Sequence, residues 1–194
     1  MSHITRYSVM PIPPVEAHTT TFSAGVVEIG VEYRLLNDAI AAAASAGLAP
    51  ARGDERGRTT ELDDRGVSLH VFGWQEGERR ELLRFDCFAE DPHYHYVSWR
   101  ERSNEMIHLD PAADGDPLAW ALERIRTRLP PMLARAGAPE LAERIDALAL
   151  EEVMPRLTEA AYRARYEHEE QPTPAVAASR GKAETGQREA RGTR

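Results

Sequence analysis

The sequence predicts an α+β fold, an antiparallel β-meander followed by C-terminal helices packed on one sheet face. Three observations predict it. Over residues 67–109, short runs of alternating apolar and polar residues recur with connectors of three to four residues, the pattern of hairpin-linked strands. After Asp116 the apolar residues fall at helical spacing instead. A chain of 194 residues with 42% hydrophobic content suits one packed domain in which sheet and helices share a core.

Each element follows from local chemistry. Pro11, Pro13 and Pro14 make residues 1–18 an extended arm, because proline fixes φ and restricts the residue before it. A single domain is expected over 19–169. Val27, Ile29, Val31 and Tyr33 alternate with Glu28, Gly30 and Glu32 and read as a strand. The alanine-rich run 35–46 reads as a helix closed by Gly47 and Pro50. Residues 50–66 are polar and carry glycine, the composition of a mobile loop. Four strands are then expected over 67–74, 79–88, 93–100 and 105–109. Asp116-Pro117 supplies an N-cap with proline at the first helical position. Leu118, Leu122, Ile125 and Leu129 line one face of that helix, which Pro130-Pro131 should end. A second helix carries Leu141, Ile145 and Leu148, and beyond Pro155 a third carries Leu157, Ala161 and Ala164. Residues 170–194 hold almost no large apolar side chains after Val176 and are expected to be disordered.

Charge excludes some functions. The chain carries a net charge of −8, and the tail from Gln171 onward has five basic against two acidic residues, so the body is at −11. An acidic body lacks the basic face needed to neutralise phosphates, so nucleic acid is not an expected partner. No apolar run approaches the roughly 20 residues that cross a bilayer, and the N-terminus lacks a signal-peptide pattern. A cytoplasmic protein without a membrane partner is expected. Cys87 is the one cysteine and reads as a small core residue.

The candidate site begins with His93 and His95, one residue apart on a strand and so pointing the same way. If 89–92 is a four-residue hairpin loop, Phe88 faces His93 and Asp86 faces His95. If 101–104 is the next loop, Val97 faces His108 and His95 faces Asp110. Asp86, His95 and Asp110 then share a row across strands about 4.8 Å apart, with His93 and His108 beside them. The candidate metal ligands are therefore His93, His95, His108, Asp86 and Asp110. Imidazoles with carboxylates suit one divalent transition metal (zinc, iron, nickel or manganese) rather than calcium.

Two other readings stand beside the metal. In a metal-free pocket the catalytic candidates are His95 with Asp86 as a general-base pair and Arg84 holding an anionic group. In the third, the histidines simply hydrogen-bond to Asp86 and Asp110 on a polar sheet surface. His70 shares this face but lies two pairs from His95 on the expected register, outside the ligand set. The opposite face carries Leu83, Phe85, Cys87, Tyr94, Tyr96, Ile107 and Leu109 and should receive the helices. That leaves the histidine face open, or covered only by the N-terminal segment and the mobile loop.

His-x-His followed by Glu101 is similar to the cupin metal motif, but the spacing differs, the flanking glycines are absent and the chain turns helical where a barrel would continue. The run Leu83-Arg84-Phe85-Asp86-Cys87-Phe88, then Pro92-His93-Tyr94-His95-Tyr96, Leu109-Asp110-Pro111 and Asp114-Gly115-Asp116-Pro117-Leu118-Ala119-Trp120, resembles an uncharacterised family of bacterial proteins of unknown function. The resemblance covers about residues 67–135 and implies no activity. In organisation alone, an Asp on a sheet, then His-x-His-Tyr, then a helix, the chain is also similar to small toxins of toxin–antitoxin pairs. It is longer and more acidic than an RNA-cleaving toxin of that kind.

Two function classes follow. One is a small enzyme or ligand-binding protein acting through the histidine face on a small, anionic or neutral molecule, with or without a divalent metal. The other is a non-catalytic accessory subunit that binds a protein partner, a second copy of itself included, through its helices, arm and tail.

Overall fold

Alternating side chains sort seven strands into one continuous antiparallel sheet in the computed structural model, which describes residues 4–8, 10–37 and 63–169. The strands are β1 (Ile4–Tyr7), β2 (Thr20–Ala24), β3 (Val27–Asn37), β4 (Asp63–Gln75), β5 (Glu78–Phe88), β6 (His93–Ser98) and β7 (Ser103–His108). Their order is β1-β7-β6-β5-β4-β3-β2. The expected meander forms its centre, with the first and last strands of the order drawn from the N-terminal segment. Four helices follow: α1 (Pro111–Asp114), α2 (Pro117–Arg135), α3 (Pro139–Ala142) and α4 (Ala147–Glu169). Asp110 and Asp116 cap α1 and α2 through their carboxylates, as the Asp-Pro steps predict.

The two sheet faces differ in kind. Ile29, Leu69, Val71, Leu83 and Phe85 point to one side, where Leu118, Ile125, Leu129, Leu133 and Leu157 of the helices meet them. All of these are essentially fully buried, each contributing on the order of 1.5–3 kcal/mol by burial. The other face collects the buried polar groups: Glu32, Arg34, Ser68, His70, Glu81, Arg84, Asp86, His93, His95 and Asn104. The helices therefore pack on the face that the sequence assigns to them. The histidine face is buried rather than open. The N-terminal segment reaches it, with the Ile12 carbonyl accepting from Arg34 and the Val15 N–H donating to Glu32.

Several elements depart from expectation. Residues 4–7 of the expected arm form β1 because they pair with β7, Ile4 opposite Ile107. Strand β2 was not expected: its alternation rests on Phe22 and Ala24 alone, buried beside the exposed Thr21 and Ser23. Leu35–Asn37 extend β3 and residues 63–66 open β4, held by eleven consecutive pairs. The rest of the expected 35–46 helix, most of the 50–66 loop and the tail lie outside the described residues. Pro130 and Pro131 lie inside α2, and Pro155 inside α4. The buried Leu129, Met132 and Leu133 in α2, and Val153, Met154 and Leu157 in α4, carry each helix through the lost N–H donors. The second helix is correspondingly short, with Ile145 and Leu148 falling outside it.

Gly66 shapes the polar face. A Cβ there would lie 2.4 Å from the Cys87 carbonyl oxygen and 2.8 Å from Phe88 Cα, so β4 and β5 must separate to admit one. Gly66→Ala is expected to lower stability by about 1–3 kcal/mol, measured as a shift of the urea midpoint with the slope unchanged. An unshifted midpoint would disprove the close approach.

Candidate metal centre

Two loops set the register at the site, and both differ from the sequence-based expectation. Asp86 pairs with His93, and Arg84 with His95. Between the last paired residues, Asp86 and His93, the chain therefore takes six residues, 87–92, where the expected hairpin has four. The Asp64 carboxylate accounts for it by accepting the backbone N–H groups of Glu90 (3.1 Å) and Asp91 (2.9 Å), while Ala89 N–H donates to Arg65. In the next hairpin the turn falls at residues 99–102, with Arg102 at φ +49°, so His93 faces His108 and Val97 faces Asn104. The shifts are of two and four residues. Because both are even, every expected side chain stays on its face.

The corrected register forms two transverse rows. One reads Glu32, Ser68, Asp86, His93, His108, and the other Gly30, His70, Arg84, His95, Met106. His70 thus shares a row with His95, where the sequence placed it two pairs away. Asp110, expected opposite His95, is exposed and caps α1 through Ala112 N–H. His108 flanks the group, its ring 6.0 Å from that of His93 and its Nδ1 bonded to the Asp91 carboxylate at 2.6 Å.

Three donors converge: Asp86 Oδ2 lies 3.3 Å from His93 Nε2 and 3.5 Å from His95 Nε2. Among the described residues, Asp86, His93 and His95 alone group three metal-ligating atoms within 4.8 Å of one another. Around an ion with bonds of about 2.1 Å, tetrahedral donors stand about 3.4 Å apart. The far side of each imidazole is fixed. His93 Nδ1–H donates to the Asp91 carbonyl (2.7 Å) and His95 Nδ1–H to Asn104 Oδ1 (2.9 Å), while the Ser68 hydroxyl donates to Asp86. Such outer partners fix the tautomer that presents Nε2 to a metal.

Titration divides the two histidines. Burial works to lower His93, but Asp86 outweighs it and the net shift is upward. For His95 burial prevails, aided by the charges of His93 and Arg84, and the net shift is downward. Burial tends to raise Asp86, yet His93, His95 and Arg84 hold it well below the usual carboxylate range. Burial first, then the charges of Asp86 and Asp116, push the Cys87 thiol well up, so it stays protonated.

Beside this group runs a buried ionic chain. Arg84 donates to Glu81 from Nε (2.8 Å) and Nη2 (2.6 Å), so the guanidinium expected to hold an anion is already engaged. Glu81 also bonds His70 Nδ1 at 2.6 Å, and His70 Nε2 faces Glu32 Oε2 at 3.2 Å without hydrogen-bond geometry. Glu32, Arg34, Ser68, Glu81 and Asn104 were not singled out by the sequence. Glu81 was hidden by a bulge: the register slips between Val71 and Phe72, leaving Leu82 unpaired and turning Glu81 to the polar face. Glu32 did show a signal, since it alternates with apolar residues in β3.

Burial tends to raise Glu81, but Arg84 and His70 pull it down to about 2 from an ordinary 4.5. A carboxyl acidified by folding stabilises above its unfolded value and loses that contribution as pH falls towards the folded one. Wild type should therefore lose on the order of 3 kcal/mol between pH 4.5 and 2 from this group. Glu81→Gln should be less stable at pH 7 but show a shallower decline through that window in urea titrations. A slope as steep as wild type would refute the assignment.

No curated protein and no solved structure matches the chain. A family model does match, over residues 21–161, a wider span than the resemblance at residues 67–135 implies. The chain belongs to the family described as Domain of unknown function (DUF7700).

Proposed function

We propose that Asp86, His93 and His95 bind one divalent transition metal, and that the protein uses it to bind or act on a small molecule. One observation carries the reading: both imidazoles commit Nδ1–H to fixed acceptors and turn Nε2 toward the same carboxylate oxygen. A neutral imidazole presents a lone pair there, as does the carboxylate. A cation between them converts those repulsions into three bonds. The downward shift of His95 makes it the ring that most favours a metal over a proton.

The donor set suits zinc, iron, nickel or manganese. Three protein ligands leave a coordination position open, as catalytic centres do and closed structural centres do not. A metal there supplies a Lewis acid or lowers the pKa of a bound water. His95 and Asp86 thus serve as ligands in this reading, in place of the metal-free general-base pair. Its expected occupant is a small ligand reaching the open position.

Metal analysis and calorimetric titration of the full chain with zinc test the proposal. One equivalent should bind, and His95→Ala should weaken binding by at least about 100-fold. Asn104→Ala, which frees the far side of His95, should weaken it by about 10–100-fold. His108→Ala and Asp110→Ala should stay within about threefold of wild type, since neither belongs to the converging group. Absence of stoichiometric binding by the folded wild type would refute the reading.

A further inference from the structure

We propose that two copies of this chain pair along β2 and the neighbouring face of α4 to form a symmetric dimer. That surface lies on the helix-bearing side of the sheet, away from the metal donors.

The strand order ends in β1 at one edge and β2 at the other, and the two edges are finished differently. β1 carries the charged Arg6, paired with Glu105, and charge is a common guard against edge-to-edge association. β2 has no such guard. Its run Thr20-Thr21-Phe22-Ser23-Ala24 contains neither charge nor proline, passes through five regular pairs with β3, and exposes Thr20, Thr21 and Ser23. Among the described residues, the ladder to β3 supplies the only hydrogen bonds of residues 20–24. Thr19, just before it, is extended as well, at φ −102° and ψ 116°. A bare, uncharged edge of this kind is a template for another strand.

Beside that edge runs a groove walled by α4 and floored by Phe22 and Val31. Along α4 it is lined by Arg156, Glu159, Arg163 and Glu167, all exposed. Their charges alternate plus, minus, plus, minus. Reversed, the order becomes minus, plus, minus, plus, so an antiparallel copy of the helix meets an opposite charge at every position. The spacing agrees. Setting Arg156 against the partner's Glu167 and Glu159 against the partner's Arg163 puts the twofold axis near residue 161 in both cases. A surface must be self-complementary in this way to close a twofold dimer, which makes a second copy the fitting occupant.

Strand and helix agree on where the axis lies. Arg156 stands over the Phe22 ring at 5.7 Å, while His168 stacks on Tyr33 at 4.0 Å, two residues past Val31, which faces Thr20. α4 therefore runs antiparallel to β2, and its residue 161 falls near the level of Thr20. An axis there, perpendicular to the sheet, sets Thr20 against its own copy and Thr19 against the partner's Thr21, and threonine pairs are favourable across an antiparallel ladder. It joins the two seven-stranded sheets and lays both α4 helices on the same face. Glu159 and Arg163 already pair within one helix, and each gains a second partner across the axis. Exposed ion pairs contribute little singly, so they set direction and register while strand pairing holds the copies together.

Sedimentation equilibrium of the full chain tests this dimer. Wild type should weigh twice the chain mass at about 100 μM. Arg163→Glu and Glu159→Arg each make both Glu159–Arg163 contacts across the axis repulsive, and each should weaken association by at least about tenfold. Mixed in equal amounts, the two variants should associate to within about threefold of wild type, because opposite charges meet again between unlike chains. A contact within one chain would not be restored by mixing. Thr20→Lys, which places two ammonium groups at the axis, should also weaken association by at least about tenfold. Melting curves establish that each variant folds, and if a helix variant does not, Thr20→Lys decides. A folded wild type that stays monomeric at that concentration, a dimer that these substitutions leave intact, or folded variants that do not recover on mixing would overturn the proposal.

Discussion

The bidentate pair between Glu81 and Arg84 fixes the polar face, and it exists because of one extra residue in β5. Without the bulge at Leu82, Glu81 would share the face of Leu83 and point into the apolar core, where a carboxylate has no partner. The bulge turns Glu81 outward opposite Phe72 while Leu82 stays fully buried. Glu81 then orients both its neighbours: it takes the Arg84 fork and one nitrogen of His70. Arg84 in turn acts on Asp86 and His95 through its charge. The donor group is thus held electrostatically from one side and by Asn104, Asp91 and Ser68 from the others.

Side-chain parity explains what could be read in advance. The meander, the helices on the apolar face and the shared face of Asp86, His93 and His95 all depend on alternation, which survives a shift of two or four residues. Pairing across the ladder does not survive it. Which residue faces Asp86 depends on how many residues the turn consumes, and that was set by Asp64 capturing the N–H groups of Glu90 and Asp91, a contact between segments 26 and 27 residues apart. Asp110 left the expected row for the same kind of reason, since its carboxylate is more useful to the first turn of α1. Bulges, long-range loop contacts and helix caps compete with simple hairpin counting, and here each prevailed at a position that bears on the site. Arg34 was hidden differently: nothing in its local pattern tells a buried arginine from a solvated one.

The N-terminal segment ties the ends of the sheet together over this face. β1 lies at one edge beside β7, and β2 at the other beside β3, so the connection between them spans six strand spacings, about 29 Å. Twelve residues reach at most about 40 Å when fully extended, and the helical turn at Glu16–His18 shortens that reach, which leaves limited slack; Pro11, Pro13 and Pro14 favour extension in the rest. Its contacts fall on Glu32 and Arg34, the members of the ionic network nearest that edge. The arm is therefore part of what buries the polar groups as well as a strand donor.

Burying so many ionisable groups on one face of a small sheet is poorly explained by stability. Replacing a buried ion pair with apolar side chains of equal volume is often neutral or stabilising, and the core on the opposite face, from Ile29 to Leu157, already supplies the apolar burial that holds the domain together. Removing a single partner from the polar face is a different matter, because it strands a charge away from water. The network therefore resists piecemeal loss while contributing little on its own. That asymmetry suits a scaffold that keeps Asp86, His93 and His95 converged, with the apolar face providing the free energy that such a convergence requires.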